Sequence, residues 1–266
     1  MLIVISPAKT LDYESGVKLK RHTLPDYLED AQLLIDRARS YSVEDIAGLM
    51  QVSASIAELN FQRFQSWNTP FTLDNARQAV LAFKGDVYTG LDVNSFTSAD
   101  FKFAQDHLRI LSGLYGLLRP LDLMQPYRLE MGRRVVTARG NTLYQFWHEK
   151  ITTGLNRQLQ RLKSRCLVNL ASREYFKAID SGSLKAEVIT PEFRDWKNGQ
   201  YKMIGVYAKK ARGQLSRFLI RNRLTDPESI KDFSTDGYSF NRQLSSDDTW
   251  VFTRNLQTTA PAPRSS

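Results

Sequence analysis

At 266 residues, with 42% hydrophobic and 24% charged side chains, the chain has a globular composition, sufficient for one large domain or two modest ones and outside the disordered and fibrous classes. No stretch approaches the ~18 apolar residues of a membrane span, and the opening run has no basic n-region and is cut at Pro7 and Lys9, so a cytoplasmic protein is expected. The net charge of +9 is uneven: residues 1–150 hold 17 Lys+Arg against 17 Asp+Glu, residues 151–225 hold 16 against 5, and residues 226–266 hold 4 against 6.

In chain order, residues 2–6 are a short apolar run ended by Pro7, read as a buried first strand. Thr23 and Pro25 open a helix to about Arg39, with Thr23 as its cap and Leu28, Ala31, Leu34 and Ile35 at helical spacing. Ser42 caps a second short helix, and residues 53–64 form a third. Residues 74–82 read as helical and lead into the tight stretch 83–91. Residues 98–111 read as another helix, with Phe101, Ala104, Leu108 and Leu111 on one face.

The second half alternates differently. Residues 166–170 and 186–190 read as strands. Residues 193–207 read as a hairpin, because Asn198-Gly199 favours a type I′ turn. A long cationic helix follows from Ala208 to about Leu224, stopped at Pro227, and residues 237–240 and 250–254 form a closing hairpin. No Pro/Gly/Ser-rich linker interrupts residues 1–255. The expected fold is therefore mixed α/β, one compact domain over 1–255 with helices around a mixed sheet, and a disordered tail over 256–266.

The single cysteine, Cys166, excludes an internal disulfide and heads an apolar strand, so inert packing is expected. His22, His107 and His148 are scattered and no Cys-x-x-Cys pair occurs; neither a transition-metal site nor a cofactor is expected.

The densest motif is residues 111–122, Leu-Ser-Gly-Leu-Tyr-Gly-Leu-Leu-Arg-Pro-Leu-Asp. Two glycines, Gly113 and Gly116, between apolar runs have the layout of a helix-hairpin-helix, whose turn presents backbone N–H groups to a phosphate without reading bases. The spacing departs from the usual hairpin, and a glycine cap followed by a packed loop is the alternative. In the helix from Ala208, Lys210, Arg217 and Arg221 fall on one stripe beside Leu215, Phe218 and Leu219, with Lys209 and Arg212 flanking. Such a stripe suits a phosphate backbone; a solvated surface or a partner helix has the same signature.

Arg128 and Glu130 lie two apart beside Tyr127, either a phosphate-binding arginine with its orienting base or a buried ion pair. Lys9 sits just after the first strand, and Lys84-Gly85-Asp86 and Arg173-Glu174 occupy other strand-to-helix junctions. Convergence of Lys9, Asp86, Glu130 and Glu174 would supply a nucleophile or base with carboxylate support. No P-loop, dinucleotide fingerprint or Gly-x-Ser-x-Gly elbow is present.

Residues 6–11, 83–91, 111–132, 143–147 and 208–213 resemble the bacterial YaaA family of peroxide-stress-resistance proteins, in order over about residues 1–255, with 111–132 the most specific. The resemblance implies a family-specific mixed α/β fold with a helix-hairpin-helix-like element and a basic cleft. It also implies binding of DNA, with a preference for structured forms, and protection of DNA during hydrogen-peroxide stress. Lowered free iron is another family property; with no iron ligands in view, any such effect here would be indirect.

Three readings follow. The first is a DNA-binding protein gripping the backbone through Gly113, Gly116, Arg119, Arg128, Lys209, Lys210, Arg212, Arg217 and Arg221. The second is an enzyme acting on a nucleotide or damaged nucleic acid at Lys9, Asp86, Glu130 and Glu174. The third is a scaffold for a protein partner, which needs an exposed apolar patch.

Overall fold

Residues 2–5 are buried on both faces, as the central strand of a parallel sheet must be. The computed structural model describes residues 1–16 and 19–255, so the expected tail lies outside the described residues. The first half runs β1 (Leu2–Ile5), β2 (Thr10–Leu11), α1 (Leu28–Arg39), α2 (Val43–Met50), α3 (Ala54–Ser66), β3 (Arg77–Gln78), α4 (Ala79–Ala82), β4 (Phe83–Lys84), α5 (Asp86–Leu91) and α6 (Ser98–His107). The second half runs β5 (Leu108–Ser112), β6 (Gly116–Leu118), β7 (Leu123–Met124), α7 (Leu143–Arg161), β8 (Cys166–Leu170), α8 (Arg173–Phe176), β9 (Glu187–Lys197), β10 (Gln200–Lys202), α9 (Gly205–Arg221), β11 (Ser239–Phe240) and β12 (Thr249–Arg254).

The main sheet is mixed, in the order β11-β12-β9-β8-β1-β5-β6, with β10 hairpinned onto β9. Its five middle strands, β12-β9-β8-β1-β5, are parallel, and β6, β10 and β11 pair antiparallel. Numbered among themselves, the parallel strands stand 2-1-3-4-5. The chain lays β5 on one side of β1, then returns to lay β8, β9 and β12 on the other. Connections leaving β1 and β8 therefore diverge, opening a crevice at their carboxyl ends. One continuous hydrophobic cluster joins both halves of the chain around this sheet.

Several local expectations hold. Ser42 makes a full capping box with Asp45. Asn198 and Gly199 both have positive φ (52° and 78°), as a type I′ turn requires. The strand at 166–170 and the closing hairpin form where expected.

The helix-hairpin-helix does not form: residues 108–118 are a buried β-hairpin, with Ile110 opposite Leu118 and Ser112 opposite Gly116. The helix expected to reach residue 111 ends at His107, because Leu108, Arg109 and Ile110 pair with β1. A continuous apolar run fits a buried strand as well as a helix, and pairing to the central strand decided it. Residues 74–82 are helical only over α4, since Arg77 and Gln78 pair with β7. Thr23 does not cap α1; its hydroxyl donates to Asp122 Oδ1 at 2.6 Å. The two strands expected around Pro191 fuse into β9. Thr190 N bonds on the β12 side, so the missing proline N–H faces the β8 side, where pairing ends at Ile189.

Candidate functional site

The crevice at the carboxyl ends of β1 and β8 is closed from below by their own loops. Pro7 stops β1, Ser172 N donates to Ser6 Oγ at 2.8 Å, and Tyr88 Oη donates to Ser6 O at 3.1 Å. Above these bonds lies a cavity of about 420 Å³. Lys9, Asp86, Glu130 and Glu174, each from a different junction, all line it. Lys84, Lys209 and Arg212 line it too, so α9 delivers two of its cations to the same place.

Glycines set how α9 arrives. A Cβ on Gly213 would stand 1.8 Å from Val87 O, and one on Gly90 would stand 2.1 Å from Lys210 O. α5 and α9 thus touch backbone to backbone, which only paired glycines allow. That contact holds Lys209 and Arg212 beside the β4–α5 junction carrying Lys84 and Asp86.

Glu130 is the electrostatic centre of the wall. It is 4% exposed. Its Oε1 takes Arg128 Nη2 at 3.1 Å and Lys9 Nζ at 3.5 Å, and Arg133 Nε stands 3.6 Å from Oε2. Burial pushes the Glu130 carboxyl up, but the charges of Arg128 and Arg133 outweigh it and hold the group below the usual carboxylate range. Glu130 is therefore an ionised acceptor. Its Oε2 is buried and, among the described residues, accepts no hydrogen bond; only the ion-pair contact with Arg133 faces it.

Glu174 is partly engaged: its Oε1 accepts from Gly132 N at 2.9 Å. Among the described residues, the side chains of Lys84, Asp86 and Lys209 have no hydrogen-bond or ion-pair partner. Arg212 has only the more distant charge of Glu192, and burial lowers its guanidinium pKa. Tyr88 and Tyr175 are pushed up by burial and stay neutral phenols.

The other residues expected to grip phosphate lie elsewhere. Gly113 and Gly116 are buried: Trp147 Nε1 donates to Gly113 O at 2.8 Å, and a Cβ on Gly116 (φ 67°) would stand 2.7 Å from the Trp147 ring. Their turn faces the core and offers nothing to a phosphate. Because β6 runs antiparallel to β5, Arg119 lies toward the amino-terminal ends of the parallel strands, paired with Asp122 at 2.9 Å and Asp26 at 3.1 Å. Arg128 serves Glu130. On α9, Lys210 pairs with Asp236 at 3.0 Å and Arg217 with Asp92 at 3.1 Å. Arg221 is exposed at the far end of the helix, ~18 Å along the axis from Lys209 at 1.5 Å per residue.

Sequence reading overlooked Ser6, Tyr88 and Arg133. Ser6 carried a usable signal, standing at the carboxyl end of the first strand; Arg133 had none. Cys166 is buried, with its thiol pushed up to about 11 by burial, as inert packing requires. No helix among the described residues is long and apolar enough to cross a membrane.

Known proteins bear on this arrangement. The family model described as peroxide stress protein YaaA matches residues 1–244. A UPF0246 protein of Colwellia psychrerythraea is 57% identical over 254 residues, 96% of this chain and 99% of the relative. UPF0246 proteins of Burkholderia lata and Teredinibacter turnerae are 55% and 54% identical, again across 96% of this chain and 99% of theirs. The chain belongs to the family of the peroxide stress protein YaaA, whose members also carry the name UPF0246.

Proposed function

We propose that the protein serves the peroxide stress response by binding DNA, and that the switch-point cavity is its working centre. One observation carries this reading: Lys84, Lys209 and Arg212 converge on a single cavity with no carboxylate in ion-pair range among the described residues. Clustered cations without partners, of which Arg212 is partly buried, favour an anion, and a phosphate diester supplies one. The cavity has the volume of a small-ligand site, so it admits one nucleotide unit while the duplex lies across its mouth. Backbone contacts of this kind are sequence-tolerant.

The test is a titration of duplex DNA at several salt concentrations. With ~4–6 phosphates neutralised, log affinity against log salt has a slope of roughly −4 to −5. Lys209→Gln with Arg212→Gln lowers affinity about tenfold and flattens the slope by about 2, since each lost contact removes ~0.9. An unchanged slope in a folded variant overturns the reading.

A second reading is an enzyme acting on a nucleotide or damaged nucleic acid, favoured by the convergence of Lys9, Asp86, Glu130 and Glu174 and by Glu130 Oε2, a buried acceptor without a hydrogen bond among the described residues. An ionised buried carboxylate fits the role of base rather than acid. Turnover of an oxidised or abasic oligonucleotide that Glu130→Gln abolishes, with duplex affinity retained, would establish it.

A further inference from the structure

The sheet's longest strand overshoots the crevice. β8 ends at Leu170, whereas β9 continues past Pro191 to Lys197, ~20 Å further at about 3.3 Å per residue. There it folds back through the Asn198-Gly199 turn into β10, and the chain enters α9 a few residues later. The hairpin therefore projects as an arm from the carboxyl-end side of the sheet, the side that holds the cavity.

Its surface is unusual for a tip. Trp196 is 38% exposed, and its ring meets Tyr201, directly opposite on β10, edge to face with centroids 5.0 Å apart. Met203, Val206 and Tyr207 are also exposed. Lys197 and Lys202, which strand alternation puts on the other face of the arm, and Lys209 at the start of α9 are exposed and, among the described residues, have no carboxylate partner. The one acid between residues 194 and 212 is Asp195, buried and bonded to Arg254 and Tyr238. Aromatic rings braced at their edges, on an arm that also carries unneutralised cations, form a platform for nucleobases linked by phosphates.

We propose that the β9–β10 hairpin with the first turn of α9 is a stacking arm for unpaired bases, leading a single strand toward Lys209, Arg212 and the cavity. The proposal rests on the nucleic-acid reading above and adds a site and a substrate form to it. The occupant is a single strand rather than a duplex, because a base must offer its π-face to Trp196, and in a duplex those faces are stacked on one another. Charge argues against a protein groove, since the arm and the start of α9 carry three exposed lysines, Lys197, Lys202 and Lys209, with no carboxylate partner among the described residues.

Tryptophan emission tests this cleanly: Trp67, Trp147 and Trp250 are buried and only Trp196 is exposed. Titration of the full chain with oligo(dT) quenches that emission, and a duplex of equal length binds with much less quenching. Trp196→Ala weakens oligo(dT) binding about 5- to 150-fold, from a stacking contribution of ~1–3 kcal/mol per base, and leaves duplex affinity within twofold. Trp196→Phe keeps a ring and restores most of the single-strand affinity, separating stacking from a folding defect. Oligo(dT) binding that neither quenches Trp196 nor responds to Trp196→Ala, with duplex binding intact, overturns the arm and spares the cavity reading. Failure of both nucleic acids to bind overturns both. Quenching by phosphatidylglycerol vesicles but not by oligonucleotides overturns the arm in favour of a membrane contact.

Discussion

The two cationic sides of α9 differ in company rather than in charge. Lys209 and Arg212 face the cavity with no acid in ion-pair range among the described residues, whereas Lys210 and Arg217, on the adjoining stripe, are matched by Asp236 and Asp92. Those acids come from remote segments, so the surplus of eleven charges over residues 151–225 is not a uniform field. A cation already paired to a surface carboxylate must give up that partner to take a phosphate. Exposed pairs are worth only ~0–1 kcal/mol, so the difference is modest per residue but adds across the face.

The largest expected effect removes both sides at once. Gly213→Ala places a methyl against Val87 O and forces α5 and α9 apart. Rigid overpacking of this sort costs about 3 kcal/mol, read as a thermal midpoint roughly 6–12 °C lower. A midpoint within 2 °C of wild type would mean that the helices do not depend on this contact.

Next comes Glu130→Gln, which leaves Arg128, Arg133 and Lys9 around a neutral amide. Loss of a buried charged network of this kind costs about 2 kcal/mol near neutral pH. The Glu130 carboxyl titrates below its unfolded value, so its contribution is fully present above about pH 4.3 and lost as pH falls through the folded value. Wild type and variant should therefore differ by a constant amount above about pH 5 and converge in acid. A difference that grows in acid would show that Glu130 is protonated in the folded protein.

The smallest expected effect sharpens the comparison in the other direction. Asp236→Asn releases Lys210 and should raise duplex affinity about twofold, with a slightly steeper salt slope. Weaker binding from that variant would mean that Asp236 positions α9 rather than competing for its lysine.

How much of this was legible follows from the range of the interactions involved. β8 and the Asn198-Gly199 turn are written in adjacent residues, and so is the capping box at Ser42. Lys9, Asp86, Glu130 and Glu174 were legible one by one, because each follows a strand or opens a helix where α/β sheets collect ligands. The glycines misled for a physical reason. Gly113 and Gly116 are needed where Trp147 packs against a buried turn, and a sequence does not distinguish a glycine freeing backbone for a phosphate from one making room for an indole. The stripe on α9 misled because Asp92 and Asp236 are distant along the chain, and only the fold places them opposite Arg217 and Lys210.

The most direct measurement compares the two sides of α9 in one experiment. Duplex affinity and salt slope are measured for wild type, for Lys209→Gln with Arg212→Gln, and for Lys210→Gln with Arg217→Gln, each variant first shown to melt cooperatively. The cavity-facing pair should lose about tenfold in affinity and about 2 in slope, and the stripe pair less than threefold. Equal losses, or a larger loss from Lys210 and Arg217, would contradict the assignment of the cavity as the working centre.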